Sequence, residues 1–532
     1  MFQKQNIPLA TTGLFSSLFS DYISQSSQVT SFYNEHISLA DFSAYLDKHK
    51  FDYLNRNVLV TALNRQSNLV SNTSNLSKTN IALLEKNTSY TVTTGHQLCL
   101  FTGPLYFIYK IVSTINLCEV LKTNFPDKDF VPVYWMASED HDFEEINHAF
   151  AFGKKVVWNS TQKGSVGEFS TEGLKEVITE LKTILGENEK SNELIQLFEK
   201  AYISHFNLAD ATRYLVNELF GEYGIVILDG NDKDLKSLFK EEFKKDIFEN
   251  TSVKAVNKTI DELKQHYSAQ VTPRDINVFY KEIGLRERIE KQGNEYVVLN
   301  TDTKFTEQEL NHIIETAPEK LSPNVVLRPL YQQKILPNVA YVGGPGEIAY
   351  WLEYKTMFDA FQIHLPILMP RNFVLFLDKG IQSKIQKLNL SIEDVFKDGE
   401  ELIKAFIKTQ HDDINLEEAK SKLTSIYASV LETVAAIDKT LVGTTEAEKQ
   451  KAINGLATLE QKINRALKQK SETDINQIWA IKEKLFPKNT PQERYDNFSM
   501  YYTKFGKEFI SNLMNELTYD LEKFEYTILK EQ

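Results

Sequence analysis

Between residues 89 and 372 the apolar positions fall into short unbroken runs, each closed by polar or glycine residues. SYTVTTG (89–95) reads as a strand ending at Gly95, and FVPVYWMAS (130–138) as a buried strand. Between them PLYFIYKIVSTINLCEVLK (104–122) has the apolar content of a buried helix, with Pro104 suited to its first turn. Strand, loop, helix and strand in that order make a βαβ unit, which implies a parallel sheet and an α/β fold. Further runs of the same kind occur in GIVILDG (224–230), NVAYVGGPGE (338–347) and HLPILMPRN (364–372). Ligands of open α/β sheets bind at the carboxyl ends of the strands, so the residues that close each run are the first place to look for chemistry.

Other patterns flank this core. The first 88 residues read as a polar, mostly helical lead-in. Residues 150–222 open with a hairpin expected from AFGKKVVWNS and GSVGEFS and continue as helices. Residues 231–325 carry helices and then an expected strand pair, NVFYKEI (277–283) with EYVVLNT (295–301). Beyond about 376, Leu416, Leu423, Tyr427, Val430, Val434, Ile437 and Leu441 recur at heptad steps. Gly443, Thr444 and Thr445 interrupt that seam, and Ala452, Leu456, Leu459, Ile463 and Ala466 form a second one. Two seams joined by a turn predict an antiparallel helical hairpin, whose expected use is homodimerisation. The tail predicts amphipathic helices. The divisions expected are 1–149 for the lead-in and first half of the core, 150–222 and 231–325 for two insertions around a core strand at 223–230, 326–375 for the second half of the core, 376–490 for a helical coiled-coil domain, and 491–532 for helices packing back on the body.

Composition narrows the function. A chain of 532 residues with 42% hydrophobic and 25% charged residues is ordinary for a globular protein of several domains. Its net charge of −13 argues against a nucleic-acid partner, which would require a basic face. Cys99 and Cys118 are the two cysteines, too few for a disulfide framework, and both sit among apolar neighbours. No signal-peptide pattern opens the chain and no apolar run is long enough for a bilayer. The expectation is a cytoplasmic protein with no membrane partner.

Three stretches carry candidate chemistry. TTGHQLCLFTGP (93–104) joins the first strand to the first helix, where glycines and helix amides can approach an anion, although neither GxGxxG nor a Walker P-loop is present. SEDHDFEEINH (138–148) crowds acids and imidazoles at the end of a strand. Capping by Ser138, Asp140 and Asp142 accounts for part of it. The rest reads either as a general base beside a substrate ammonium or as a divalent-metal site using Asp140, His141, Asp142 and His148, although its spacing fits no zinc motif. YVGGPGEIAYWLEYK (341–355) is a glycine-rich loop opening a helix, with Arg328, Lys334 and Arg371 nearby as anion partners.

TTGHQLCLFTGPLYFIYK, PVYWMASEDHDFEEINH, VLRPLYQQKILPNVAYVGGPGEIAYW and the tail's FP...PQERYDNF together resemble the bacillithiol synthase family, the cysteine-adding ligases of bacillithiol biosynthesis, over most of the chain and in the same order. The resemblance implies a Rossmann-like core related to class I aminoacyl-tRNA synthetases, with connective-peptide insertions and a coiled-coil domain that mediates dimerisation. It implies formation of an amide between the carboxyl group of L-cysteine and the amine of glucosaminyl-malate, the last step of bacillithiol biosynthesis. The synthetase HIGH and KMSKS signatures are absent, so ATP enters as an expected cofactor, with Mg2+ as an option beside it and no metal ligands assigned. On that chemistry Asp140, His141 and Asp142 position the amine and take its proton, with His96 as a further catalytic candidate. Thr94, Gly95, His96, Gln97, Gly103 and Pro104 surround the anionic or nucleotide part of the substrates. Gly343, Gly344, Gly346, Arg328 and Arg371 hold phosphate or carboxylates, and Tyr106, Lys110, Glu139, Asn147, Glu347 and Asn372 complete the binding set. Two rival readings are a non-catalytic ligand-binding or assembly factor and a metal-dependent thiol enzyme.

Overall fold

The computed structural model describes residues 2–410 and 416–532. The chain divides into two compact units, Met1–Phe376 with Thr490–Gln532, and Leu377–Asn489.

At the centre of the first unit lies a five-stranded parallel sheet formed by β1 (Ser89–His96), β2 (Asp129–Met136), β3 (Val226–Asp229), β4 (Asn338–Gly343) and β5 (Ile367–Pro370). Their order is β5-β4-β1-β2-β3. β1 and β2 run in full register, from Ser89 opposite Asp129 to His96 opposite Met136. Every residue of β1 is buried although four of its eight residues are Ser or Thr. Asn338 on β4 accounts for two of them: its Oδ1 accepts from the hydroxyls of Thr91 (3.1 Å) and Thr93 (2.7 Å). Thr94 likewise donates to the carbonyl of Val342 at 2.8 Å. Buried hydroxyls with partners cost little, whereas orphaned ones would oppose the sheet.

β1 leads into α1 (Tyr106–Asn124), which is buried continuously from Phe107 to Cys118. The chain crosses over to β2 on one side of β1, while β4 pairs with its other side. The strand order therefore reverses between β1 and β4, which opens a crevice above their carboxyl ends. α2 (Arg328–Ile335) precedes β4, and α3 (Pro345–Leu352) follows it.

Several expectations change. The first insertion's hairpin is His148–Ala151 with Lys154–Val157, while GSVGEFS forms only a short 3-10 turn at Val166–Glu168. In the second insertion the two expected strands do not pair with each other. Val278–Glu282 and Glu295–Val298 flank a third strand, Leu285–Gln292, in an antiparallel sheet. That strand reads LRERIEKQ, and its charge concealed it. The chain ends are not purely helical either: Phe2–Pro8 pairs antiparallel with Glu525–Glu531. Strands so far apart in sequence leave no local hairpin signal.

In the second unit, helices α4 (Glu417–Ile437) and α5 (Val442–Lys470) lie against each other, joined by a turn at Lys439–Leu441. Lys420 and Glu460 bridge them at 2.8 Å. Gly443–Thr445 lie inside α5, and the break falls at Asp438, whose side chain caps the turn by accepting from the Thr440 amide. Among the described residues no helix is long and apolar enough to cross a membrane.

Candidate functional site

A cavity of about 1010 Å3 opens above the carboxyl ends of the parallel sheet. Of the expected residues, Gly95, His96, Gln97, Tyr106, Lys110, Glu139, Asp140, His141, Arg328, Gly344, Gly346, Glu347 and Arg371 line it. Thr94, Gly103, Pro104, Asp142, Asn147, Gly343 and Asn372 do not. Each of these has another placement or partner. Thr94 stitches β1 to β4. Asn372 and Ser113 bond reciprocally, at 2.7 and 2.9 Å. Asn147 is buried, and its carbonyl accepts from the Trp158 amide at 2.7 Å. Asp142 is exposed ahead of a one-turn helix.

The FTGP part of the first loop faces the C-terminal segment. Asn497 donates to the carbonyls of Phe101 (2.8 Å) and Gly103 (2.6 Å), and the Leu105 amide donates to Asp496. Gly103 takes a φ of +68°, and a Cβ there would stand 2.6 Å from that of Cys99. The loop amides are thus engaged within the protein, and glycine answers a steric demand. The second glycine loop is likewise occupied. Glu347 accepts from the Gly344 amide at 2.8 Å, the one half of a capping box that a glycine N-cap allows, so that amide is not open to a phosphate.

The acidic stretch is divided among separate tasks. Glu139 forms an ion pair with the fully buried Lys236, and that cation holds its carboxyl below the usual range. Asp140 accepts from its neighbour's amide, His141 N, at 2.7 Å. Gln97 donates to both Asp140 (2.7 Å) and Glu145 (2.6 Å), tying the first loop to the end of β2. His148 contacts Asn147 and lies outside the cavity lining. Among the described residues no group of three or more His, Cys, Asp or Glu side chains is placed to hold a metal ion.

On the cavity floor Lys110 reaches both oxygens of Glu347 at 2.8 Å and also the carbonyl of Gly95. Tyr341 donates to the same carboxylate at 2.7 Å. These contacts overcome burial and keep Glu347 ionised. Arg371 is engaged too, through a bidentate pair with Glu493 at 2.7 and 2.9 Å. It is therefore a structural cation more than an anion receptor. Cys99 is buried behind His96, and burial pushes its thiol up to about 12, which makes it inert.

What sequence reading missed is the arginine wall of the cavity. Arg274, Arg286 and Arg288 come from the second insertion, and Arg494 from the C-terminal segment. Arg286 and Arg288 sit on the concealed strand Leu285–Gln292. With Arg328 these arginines make no ion pair among the described residues, and they share the cavity lining with Asp140, Glu145 and Glu287. Arg328 stacks near Trp135 and Tyr341, 5.7 Å from each ring centre. The apolar Leu285 and Ile289 bracketing Arg286 and Arg288 in LRERI were the one available signal.

Comparison with known proteins divides the chain near residue 373 and places the C-terminal segment with the helical part. Residues 2–372 match the family model described as bacillithiol biosynthesis BshC, N-terminal Rossmann-like domain, and residues 374–531 that of the BshC C-terminal coiled-coil domain. A protein of Flavobacterium johnsoniae is 44% identical over 96% of this chain and 97% of its own. Those of Flavobacterium psychrophilum and Christiangramia forsetii are 43% and 40% identical, over 95% of this chain in both cases and 96% and 95% of their own. All three carry the name "Putative cysteine ligase BshC".

Proposed function

The chain belongs to the BshC family of bacillithiol biosynthesis, and from that premise we propose that it is the ligase that joins the carboxyl group of L-cysteine to the amine of glucosaminyl-malate, using ATP to activate the carboxyl group. The observation that carries this reading is the charge arrangement of the cavity. Arginines with no ion pair among the described residues line it together with the carboxylates Asp140 and Glu145 at the end of β2. Both substrates pair an amine with carboxylate, and glucosaminyl-malate carries two carboxylates. A site of both signs fits them better than it fits an apolar or purely anionic ligand.

The residues also suit a polyphosphate. Arg328 and Arg494 would hold it, and the missing side chain of Gly95 leaves room beside Arg328, whose Nη1 lies 3.6 Å from where a Cβ would stand. ATP, when bound, supplies the leaving group that a free carboxylate lacks. The chain's own residues bind the two substrates, orient the amine through Asp140 and Glu145, and manage its proton. The heptad hairpin of the second unit is the proposed homodimer contact.

The test is reconstitution: purified protein, L-cysteine and glucosaminyl-malate, with and without ATP, followed by mass spectrometry for the amide product. Product that depends on ATP is expected. Binding of glucosaminyl-malate with no product under any condition would favour the non-catalytic binding factor instead. Within an active enzyme, Arg288→Gln and Arg274→Gln are each expected to raise KM for glucosaminyl-malate about tenfold to a hundredfold with a smaller change in kcat, since a charge-assisted hydrogen bond contributes about 1.5–3 kcal/mol. Steady-state kinetics check this, and unchanged KM in both variants would remove the arginine wall from substrate binding.

A further inference from the structure

The cavity contains two histidines held in opposite tautomers. We infer that they divide the proton work of amide formation: His96 accepts the amine's proton at Nε2, His141 donates from Nε2–H to the oxygen that gains charge, and Arg286 is the positioning residue that fixes His141. The inference rests on the ligase reading for its chemistry but not for its geometry.

The tautomers follow from what the partners can do. His96 Nδ1 lies 2.8 Å from the carbonyl oxygen of Gln97. A carbonyl only accepts, so Nδ1 carries the hydrogen and Nε2 is bare. That nitrogen has no protein hydrogen-bond partner among the described residues, and His96 lines the cavity. Lys110, Glu347, Arg371, the Cys99 thiol and the ring of Tyr106 surround it, and burial with the Lys110 charge lowers its pKa to about 4. The ring is neutral at physiological pH.

His141 is the reverse case. Arg286 Nη1 lies 2.6 Å from its Nδ1. A guanidinium only donates, so Nδ1 must accept and the hydrogen of the neutral ring sits on Nε2. Arg286 is itself fixed, by the Ser322 hydroxyl at 3.0 Å, the Pro323 carbonyl at 3.3 Å and the ring of Phe279, 4.0 Å beneath its guanidinium. Asp140, Glu287 and Asp142 favour protonation of this half-exposed imidazole, but its partial burial and the Arg286 charge outweigh them and lower its pKa. Its Nδ1 lone pair is already taken, so His141 is poorly arranged to be the base that its sequence context suggested.

The step balances as follows. The amine nitrogen forms a bond to the activated carboxyl carbon, and the carbonyl π pair moves onto oxygen, where His141 Nε2–H meets it. The nitrogen, now cationic and far more acidic than before, releases its proton to His96 Nε2. The carbonyl re-forms, the bond to the leaving oxygen breaks, and that oxygen departs with its electron pair. His96 then returns the proton to the leaving group or solvent.

Two measurements test this. Long-range 1H–15N correlation on the full chain with 15N-histidine, assigned by His96→Gln and His141→Gln, is expected to show His96 protonated at Nδ1 and His141 at Nε2. The same tautomer at both, or a bare Nε2 on His141, overturns the inference whether or not the protein is a ligase. In Arg286→Met the His141 ring is expected to populate both tautomers, a loss of the fixed Nε2–H form that a purely structural arginine would not produce. In the reconstituted assay His141→Ala is expected to lose about 10²–10³ in kcat, and His141→Gln, which keeps an N–H donor, to recover at least tenfold of that. His96→Gln, which cannot accept the proton in the same way, is expected to lose about 10²–10⁴. A His141→Gln enzyme no better than His141→Ala, or a fully active His96→Gln, overturns the division. Absence of product in the wild type refutes the ligase reading and leaves the tautomer result to stand alone.

Discussion

Glu493→Ala is expected to destabilise the first unit by about 3–5 kcal/mol, the cost of breaking a buried ion pair from one side. Glu493 and Arg371 have side chains only 4% and 1% exposed. Besides its two bonds to the guanidinium, Glu493 accepts from the Val374 amide at 3.0 Å. Alanine would leave a buried guanidinium without its counter-charge and an amide without its acceptor. The double variant Arg371→Met/Glu493→Met separates these causes. It removes both charges at similar volume, so it is expected to be more stable than Glu493→Ala although it lacks the same contact. Denaturation followed by tryptophan fluorescence in a Trp479→Phe background reports the first unit, because Trp135, Trp158 and Trp351 all lie within it. A loss under 1 kcal/mol in the single variant would show that the pair contributes nothing beyond a surface contact.

The location of that pair shows where local sequence pattern stops being informative. Arg371 closes β5, as its position after an apolar run suggested, and it does line the cavity. Its function was misjudged because Glu493 arrives from the far end of the chain, 122 residues later. FTGP was misplaced for the same reason: Asn497 and Asp496 take up its backbone groups. By contrast, TGHQ, SEDH and GPGE were legible. TGHQ closes β1 while SEDH and GPGE come just after β2 and β4, and a parallel strand buried on both faces reads as a continuous apolar run whose end is easy to locate. β1 was legible despite its threonines because β-branched residues fit a pleated surface, although their need for Asn338 was not. The arginine wall was not legible. It rides largely on a strand with only two apolar residues, Leu285 and Ile289, among charged ones, inside an insertion whose docking onto the core no local pattern encodes. The tautomers of His96 and His141 lie beyond sequence altogether, since each depends on one hydrogen-bond partner, and for His141 that partner is 145 residues away.

Lys110→Met is expected to destabilise the first unit by about 3 kcal/mol at neutral pH, and that difference from wild type is expected to shrink on acidification. Lys110 is buried at the start of α1 and neutralises Glu347, which is part-exposed to the cavity. Burial alone would raise the Glu347 carboxyl. Lys110, the Gly344 amide and the Tyr341 hydroxyl instead hold it below its ordinary value. A carboxyl whose folded pKa is depressed adds stability above its unfolded pKa, and that contribution is lost as pH falls through the folded value. Without Lys110 the largest opposing influence on burial is gone, so the folded pKa rises and the carboxylate becomes a liability at pH 7. Below the carboxylate range Glu347 is neutral in the variant, and the penalty for an unpaired charge disappears. Unfolding free energies of both proteins at pH 7 and near pH 4 give the comparison. A difference that stays constant, or grows, between those conditions would mean that Lys110 stabilises the cavity floor through packing and the Gly95 carbonyl, not through the charge of Glu347.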